Sequence, residues 1–230
     1  MNKILIIVPA FNEEESLPGV IRDLRGHVSQ ADILVVDDGS CDRTATVARQ
    51  SGVKLVSLPF NLGIGGAMQT GFQYARTKGY DTVIQFDGDG QHLAAEIGIL
   101  LNTLQKGKAD IVIGSRFLKR GDYRPSFFRR IGISIFSTVL SAIIGIPVTD
   151  TTSGFRAGNR RVIEFFARVY PEDYPEVESL VLLHRAGMTI AEAPVQMRDR
   201  TGGRSSITPI RSAYYMVKVL LAVFIDLLKK

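Results

Sequence analysis

A short apolar run, Val83-Ile84-Gln85-Phe86, stops abruptly at Asp87-Gly88-Asp89-Gly90-Gln91-His92, and no other stretch constrains the chain as much. Four residues of that kind bounded by glycine turns read as a buried strand, which puts two acids at its carboxyl end. In an open α/β sheet that edge is where loops converge and ligands bind. Two carboxylates ~4 Å apart would repel by about 4 kcal/mol at an effective dielectric of about 20. Either one is protonated or a cation lies between them. A divalent cation is the cheaper solution, and hard oxygen donors select Mg2+ or Mn2+. For the motif in isolation, a solvated Asp-Gly turn is the competing reading.

The same design recurs along the first half. Ile4-Leu5-Ile6-Ile7-Val8 is a strand covered on both faces, ending at Pro9, and Asn12 predicts a helix start with Glu15 as its reciprocal capping partner. A second strand, Asp32 to Val36, ends at Asp37-Asp38-Gly39-Ser40 and leads through Asp42 and Thr44 into a helix reaching Gln50. Lys54 to Leu58 predicts a third strand, then a tight turn with Gly63, Gly65 and Gly66 and a helix through Lys78. After the central strand come a helix from Ala94 to Gln105 and a fifth strand, Asp110 to Gly114, ending at Ser115-Arg116. Regular alternation predicts an open, mainly parallel, Rossmann-like α/β sheet flanked by helices, with right-handed crossovers.

Composition narrows the class. A chain of 230 residues, 45% hydrophobic and 22% charged, is globular and suits one substantial domain. The single cysteine, Cys41, excludes an internal disulfide framework, and no Cys/His cluster suggests zinc. With no cleavage-type site after Met1, no signal peptide is expected, and a cytoplasmic setting follows. The net charge of +5 favours an anionic partner. Nucleic acid has nothing beyond that charge in its favour and is set aside.

The second half changes character. A basic loop, Lys119 to Pro125, precedes a stretch from Ile131 to Val148 without a charge. It is interrupted by Gly132, Gly145 and Pro147 and falls short of the ~20 apolar residues of a span, so a buried or interfacial helix is expected. Thr149 to Arg156 reads as a polar loop, followed by helices near Asn159 to Arg168 and Glu176 to Ala186 and a last strand, Thr189 to Val195. Arg198 to Ser206 is a basic, glycine-containing loop. The expected division is a catalytic domain, 1–208, and a C-terminal amphipathic helix, 209–230, that lies on a membrane surface or packs on the domain.

Two acid pairs at neighbouring strand ends, with arginines downstream, match the needs of a nucleoside diphosphate sugar. Asp37 and Asp38 can accept hydrogen bonds from base and ribose, Asp87 and Asp89 can hold the metal, and Arg200 and Arg204 can cover the phosphates with forked contacts. Val8-Pro9-Ala10-Phe11-Asn12-Glu13-Glu14, Val36 to Thr44, Asp87 to His92, Gly114-Ser115-Arg116 and Asp150-Thr151-Thr152-Ser153-Gly154-Phe155-Arg156 together resemble family 2 inverting glycosyltransferases of the GT-A fold. Among these the chain is most similar to the dolichyl- or polyprenyl-phosphate mannose and glucose synthases.

The resemblance implies that Asp38 and the segment holding Pro9, Ala10, Asn12 and Glu13 line the nucleotide pocket, with Gly66 and Gly88 beside it. It implies that Asp87, Asp89 and Gln91 surround the metal, and that Arg116, Arg156 and the Arg200 to Ser206 loop face the diphosphate and acceptor. A UDP- or GDP-hexose donor, a polyprenyl phosphate acceptor and a peripheral site on the cytoplasmic face of the membrane follow, with a separate small membrane protein expected to assist. The synthases often carry a lysine after serine in the last loop, where this chain has Ser205-Ser206. The Gln-x-x-Arg-Trp motif of hydroxyl-glycosylating relatives is missing, as is any tryptophan.

The acceptor decides the chemistry. A lipid phosphate is already an anionic nucleophile and needs no general base, whereas a sugar hydroxyl would need one, for which Asp150 is the candidate. Two alternatives stand beside the synthase reading: a soluble glycosyltransferase acting on a saccharide or protein hydroxyl, and a catalytically inactive membrane-associated scaffold.

Overall fold

The computed structural model describes residues 2–107, 109–118, 137–172 and 175–198. Among the described residues seven strands form one sheet, β1 (Ile4–Ala10), β2 (Asp32–Asp37), β3 (Lys54–Ser57), β4 (Thr82–Gln85), β5 (Ile111–Ser115), β6 (Arg156–Asn159) and β7 (Ile190–Pro194), in the order β3-β2-β1-β4-β6-β5-β7. All neighbours are parallel except those of β6, which is antiparallel to β4 and β5. The helices are α1 (Leu17–His27), α2 (Thr44–Gln50), α3 (Gly63–Thr77), α4 (Ile97–Lys106), α5 (137–144), α6 (Arg160–Phe166) and α7 (Pro175–Arg185).

The β-branched runs behave as strands covered on both faces require. All seven residues of β1 are buried, and they alternate between two cores. Leu5 and Ile7 join Phe72 of α3, Leu140 of α5, Phe166 of α6 and Leu180 of α7. Ile6 and Val8 join Leu17 and Leu24 of α1, Ala48 of α2 and Leu100 of α4. At ~25 cal/mol per Å2 of apolar surface, burial on both faces makes the central strands the least yielding part of the molecule, which is what a site hung on their ends needs. Gly71 brings α3 close onto the sheet: a Cβ there would lie 2.5 Å from Cγ2 of Ile7.

Three local expectations are corrected. α1 begins four residues later than an Asn12 cap implies, with Ser16 at its N-cap and Pro18 in its first turn, where a missing N–H costs nothing. The glycine turn after β3 is absorbed into α3, which starts at Gly63. The supposed polar loop ends in a strand, β6, because Arg156-Ala157-Gly158-Asn159 lacks the β-branched signature yet is paired on both sides. Its direction follows from its entry point: β5 leaves the sheet at the carboxyl edge, and Arg156 re-enters beside Gln85 and Ile113, so the strand runs back. Residues 149–155 are thereby held at the same edge as the acids.

In the described part of the charge-free segment, Leu140 and Ile144 of α5 and Val148 beyond it are buried in the core, while the rest of α5 is half-buried or exposed. Among the described residues no helix is long and apolar enough to cross a membrane. The basic loop 119–125, the proposed helix 209–230, Arg200 and Arg204 lie outside the described residues.

Candidate active site

Three loops meet at the carboxyl edge, and the motif residues bind them to one another. The backbone N–H of Asp38 donates to the carbonyl of Ala10 at 2.9 Å, joining the ends of β2 and β1. Asn12 adopts φ +56, which Asn tolerates better than most residues. Its N–H donates to Ser40 Oγ at 3.0 Å, and its Oδ1 accepts from the N–H of Cys41 at 2.9 Å. The N–H groups of Glu13 and Glu14 donate to Thr44 Oγ1 at 2.8 Å and Asp42 Oδ2 at 3.1 Å. Ser16 then donates to the carbonyl of Gly88 at 2.8 Å, reaching the loop of the central acids. Asn12 is thus a clasp between loops rather than a helix cap.

Asp37 and Asp38 are both 4% exposed. Asp37 accepts from the Ser40 N–H at 3.1 Å, and Asp38 Oδ1 from the Leu62 N–H at 2.7 Å. Burial raises the Asp38 pKa, partly offset by the N–H groups of Leu62 and Gly63. The second pair is more open. Asp89 Oδ1 accepts from the Gln91 N–H at 3.0 Å across Gly90, whose φ of +77 the turn requires. Asp87 Oδ2 accepts from His92 Nε2 at 2.9 Å. Burial alone would raise the Asp87 pKa, but His92, with Arg156 and Arg116 behind it, outweighs that and holds the carboxyl below its usual range. Gly154 gives this carboxylate room: a Cβ there would sit 2.9 Å and 3.0 Å from its two oxygens. Nothing in the sequence alone marks that glycine as facing Asp87.

Asp150, the candidate general base, is buried against an arginine. It is 0% exposed, and Arg116 grips it with Nε at 2.6 Å from Oδ2 and Nη2 at 2.7 Å from Oδ1, while the Arg116 N–H adds a third bond at 3.1 Å. Its own N–H and that of Thr149 donate to the Glu192 carboxylate, which pins the loop to β7. Arg156 is similarly engaged. At 4% exposure it donates to the Ser153 carbonyl at 2.8 Å, Ser179 Oγ at 2.7 Å and the Glu176 carbonyl at 2.6 Å. Both arginines influence Asp87 through their charge, and these hydrogen bonds hold them to the 150–153 loop and to α7. Gly66 lies in the first turn of α3, where a Cβ would collide with Leu62 at 2.5 Å; packing of its own loop already accounts for that glycine.

Met197 and Arg198 are anchored beside the acids. His92 and Met197 form an antiparallel bridge, the Arg198 N–H donates to the Gln91 carbonyl at 2.8 Å, and the Arg198 guanidinium lies 3.7 Å from Asp23 on α1.

Among the described residues no group of three or more His, Cys, Asp or Glu side chains could hold a metal ion. The two partly exposed carboxylates, Asp87 and Asp89, are hard oxygen donors of the kind that suits Mg2+ or Mn2+, cations that keep open positions for water and substrate phosphates.

A seven-stranded mixed sheet with acid-tipped loops at one edge is the GT-A-like architecture of nucleotide-sugar transferases. Residues 5–166 match the model of Glycosyl transferase family 2, and the chain belongs to that family. It is 31% identical over 227 residues to polyprenol monophosphomannose synthase of Mycolicibacterium smegmatis, covering 94% of this chain and 85% of that one. It is 32% identical over 216 residues to undecaprenyl-phosphate mannosyltransferase of Micrococcus luteus, covering 90% and 88%. Among solved structures, glucosyl-3-phosphoglycerate synthase from Mycobacterium tuberculosis, in complex with Mn2+, UDP-glucose and phosphoglyceric acid, superposes with a TM-score of 0.75. That match covers 96% of this chain and 79% of that one at 22% identity, a likeness of fold.

Proposed function

We propose that the chain transfers a hexose, with inversion, from a UDP- or GDP-sugar to a polyprenyl phosphate at the membrane surface. The observation that carries this reading is the engagement of Asp150 by Arg116. With that carboxylate buried and paired, an acceptor that needs no deprotonation is favoured. In the reaction an oxygen of the lipid phosphate bonds to the anomeric carbon, while the bond to the nucleoside diphosphate breaks and its electron pair stays on the leaving phosphate. No proton has to move.

Each group has a proposed part. Pro9, Ala10, Asn12, Glu13, Asp37 and Asp38 hold the nucleoside against loops that their hydrogen bonds have already fixed, and Gly88 keeps the backbone low beside them. Asp87, Asp89 and Gln91 would hold a divalent cation, which supplies positive charge to the departing diphosphate. Arg116 and Arg156 add their buried charge to that field. Arg200 and Arg204, which follow Arg198 in the chain, cover the phosphates; Arg198 itself lies beside Gln91. The 209–230 helix supplies the membrane contact, on the cytoplasmic face, with a small membrane protein as helper.

Incubation with Mn2+, labelled nucleotide sugars and a lipid extract tests the acceptor. A chloroform-soluble, acid-labile product is expected. The phosphoglyceric acid held by the structural neighbour supports a second reading, transfer to the hydroxyl of a water-soluble acceptor, and label found only in the aqueous phase would replace the first reading with it. Gly154→Ala should weaken Mn2+ binding about tenfold, because its Cβ displaces the Asp87 carboxylate. Mn2+ titration alongside thermal denaturation separates that effect from misfolding.

A further inference from the structure

The proposed cation site leaves one buried polar group unexplained. His92 is 2% exposed, with its ring stacked on Phe155 at 4.9 Å and 24° and set edgewise against Phe86 at 5.4 Å. Its Nδ1 is buried without a hydrogen-bond partner among the described residues. A ring kept for packing alone would be better as phenylalanine, since an unpaired buried polar atom costs about 1–3 kcal/mol. Among the described residues, the one hydrogen bond of the imidazole is to Asp87. The proton on that bond must be on Nε2: the other tautomer would aim a lone pair at a carboxylate and bury an unpaired N–H.

We infer that His92 is a positioning residue, which fixes the Asp87 carboxylate in the orientation that receives the cation. The inference rests on the proposed function above. Carboxylates and imidazoles that ligate metals are themselves oriented by hydrogen-bonded neighbours, and loss of such a partner typically weakens binding. Here the aromatic clamp fixes the imidazole plane, the imidazole fixes Oδ2, and the lack of a side chain at Gly154 leaves the carboxylate the room it occupies. Oδ1 and the remaining lone pair of Oδ2 are left as donors. The clamp also has a second attachment, because the backbone of His92 is bridged to Met197.

The test measures free Mn2+ by electron paramagnetic resonance, with the full chain alone and with UDP, and thermal stability without metal. His92→Phe keeps the aromatic packing and removes the donor. It should retain thermal stability and bind Mn2+ about 10- to 100-fold more weakly. His92→Gln, whose amide N–H stands close to the place of Nε2, should recover part of that loss. Unchanged Mn2+ affinity in His92→Phe overturns the inference. So does an equal loss of affinity in both variants accompanied by an equal fall in thermal stability, the pattern of a packing defect. A wild-type chain that binds no Mn2+ even with UDP removes the cation from the proposed function, and the role of His92 with it.

Discussion

Asp89→Asn should lower kcat/KM for sugar transfer about a thousandfold while leaving the melting temperature unchanged. The two halves of that expectation come from different properties of the same residue. Asp89 is partly exposed, and the bond it makes, from the Gln91 N–H to Oδ1 at 3.0 Å, is one that an asparagine oxygen can also accept. The turn therefore survives. What is lost is one of two negative charges that make the loop a site for a divalent cation. Stabilising charge on a leaving phosphate is worth several kcal/mol, and about 4 kcal/mol corresponds to about a thousandfold in rate. Steady-state kinetics across a Mn2+ series should show that added metal does not restore the variant, and a chelator should bring the wild type down to the same level. Activity in Asp89→Asn equal to wild type, or indifference of the wild type to the chelator, would sink the assignment of these acids.

The strands that carry the site announce themselves by composition. Ile4 to Val8, Ile33 to Val36 and Val83 to Phe86 are β-branched or apolar runs cut off by turn residues, and each ends where an acid or a loop motif begins, as found. The alternation of strand and helix then leaves few arrangements, and the parallel half of the sheet follows. β6 escapes this reading because its burial comes from position between two strands and not from its side chains; a strand of Arg, Ala, Gly and Asn has no period to detect.

The chemistry divides in the same way. That Asp87 and Asp89 are adjacent is evident from spacing two residues apart, since such spacing survives any fold. That Asp150 faces Arg116 is not, because the two are separated by 34 residues that depart from the sheet and return to it. The same holds for Gly154 against Asp87 and for Glu192 beneath Thr149 and Asp150. Motif membership also misleads about role. Ser40, Cys41, Asp42 and Thr44 sit in the same line of sequence as the acids Asp37 and Asp38, yet each has a hydrogen bond to Asn12, Glu13 or Glu14. Much of what makes the motif recognisable is the stitching of one loop to the next, which preorganises the pocket before any ligand arrives.

Asp150→Ala should cost about 3–5 kcal/mol of folding free energy, a figure typical of breaking a buried ion pair from one side. The reason is the partner left behind. Arg116 has a side chain only 7% exposed, with its Nε and Nη2 donating to a carboxylate at 0% exposure, so removal of the acid takes two hydrogen bonds and the adjoining negative charge from a buried guanidinium that still donates to Thr152. For a chain of this size about 1 kcal/mol moves the melting temperature by about 2–4 °C, and a fall of about 10 °C or more is expected by calorimetry. Asp150→Asn, which keeps the shape and an acceptor but not the charge, should fall less. Replacing both partners, Asp150→Leu with Arg116→Met, should recover much of the loss, because an apolar pair of similar volume carries no stranded charge; the double variant then loses less than the sum of the singles. A general base at this position would behave in the opposite manner. Its Asp150→Asn variant would melt like wild type and bind donor, yet fail to turn over, and such a result would return the hydroxyl acceptor to first place. If the carboxylate is the anchor of Arg116, turnover per folded molecule at low temperature should stay within about tenfold of wild type, the size of a modest change in transition-state field of about 1.4 kcal/mol.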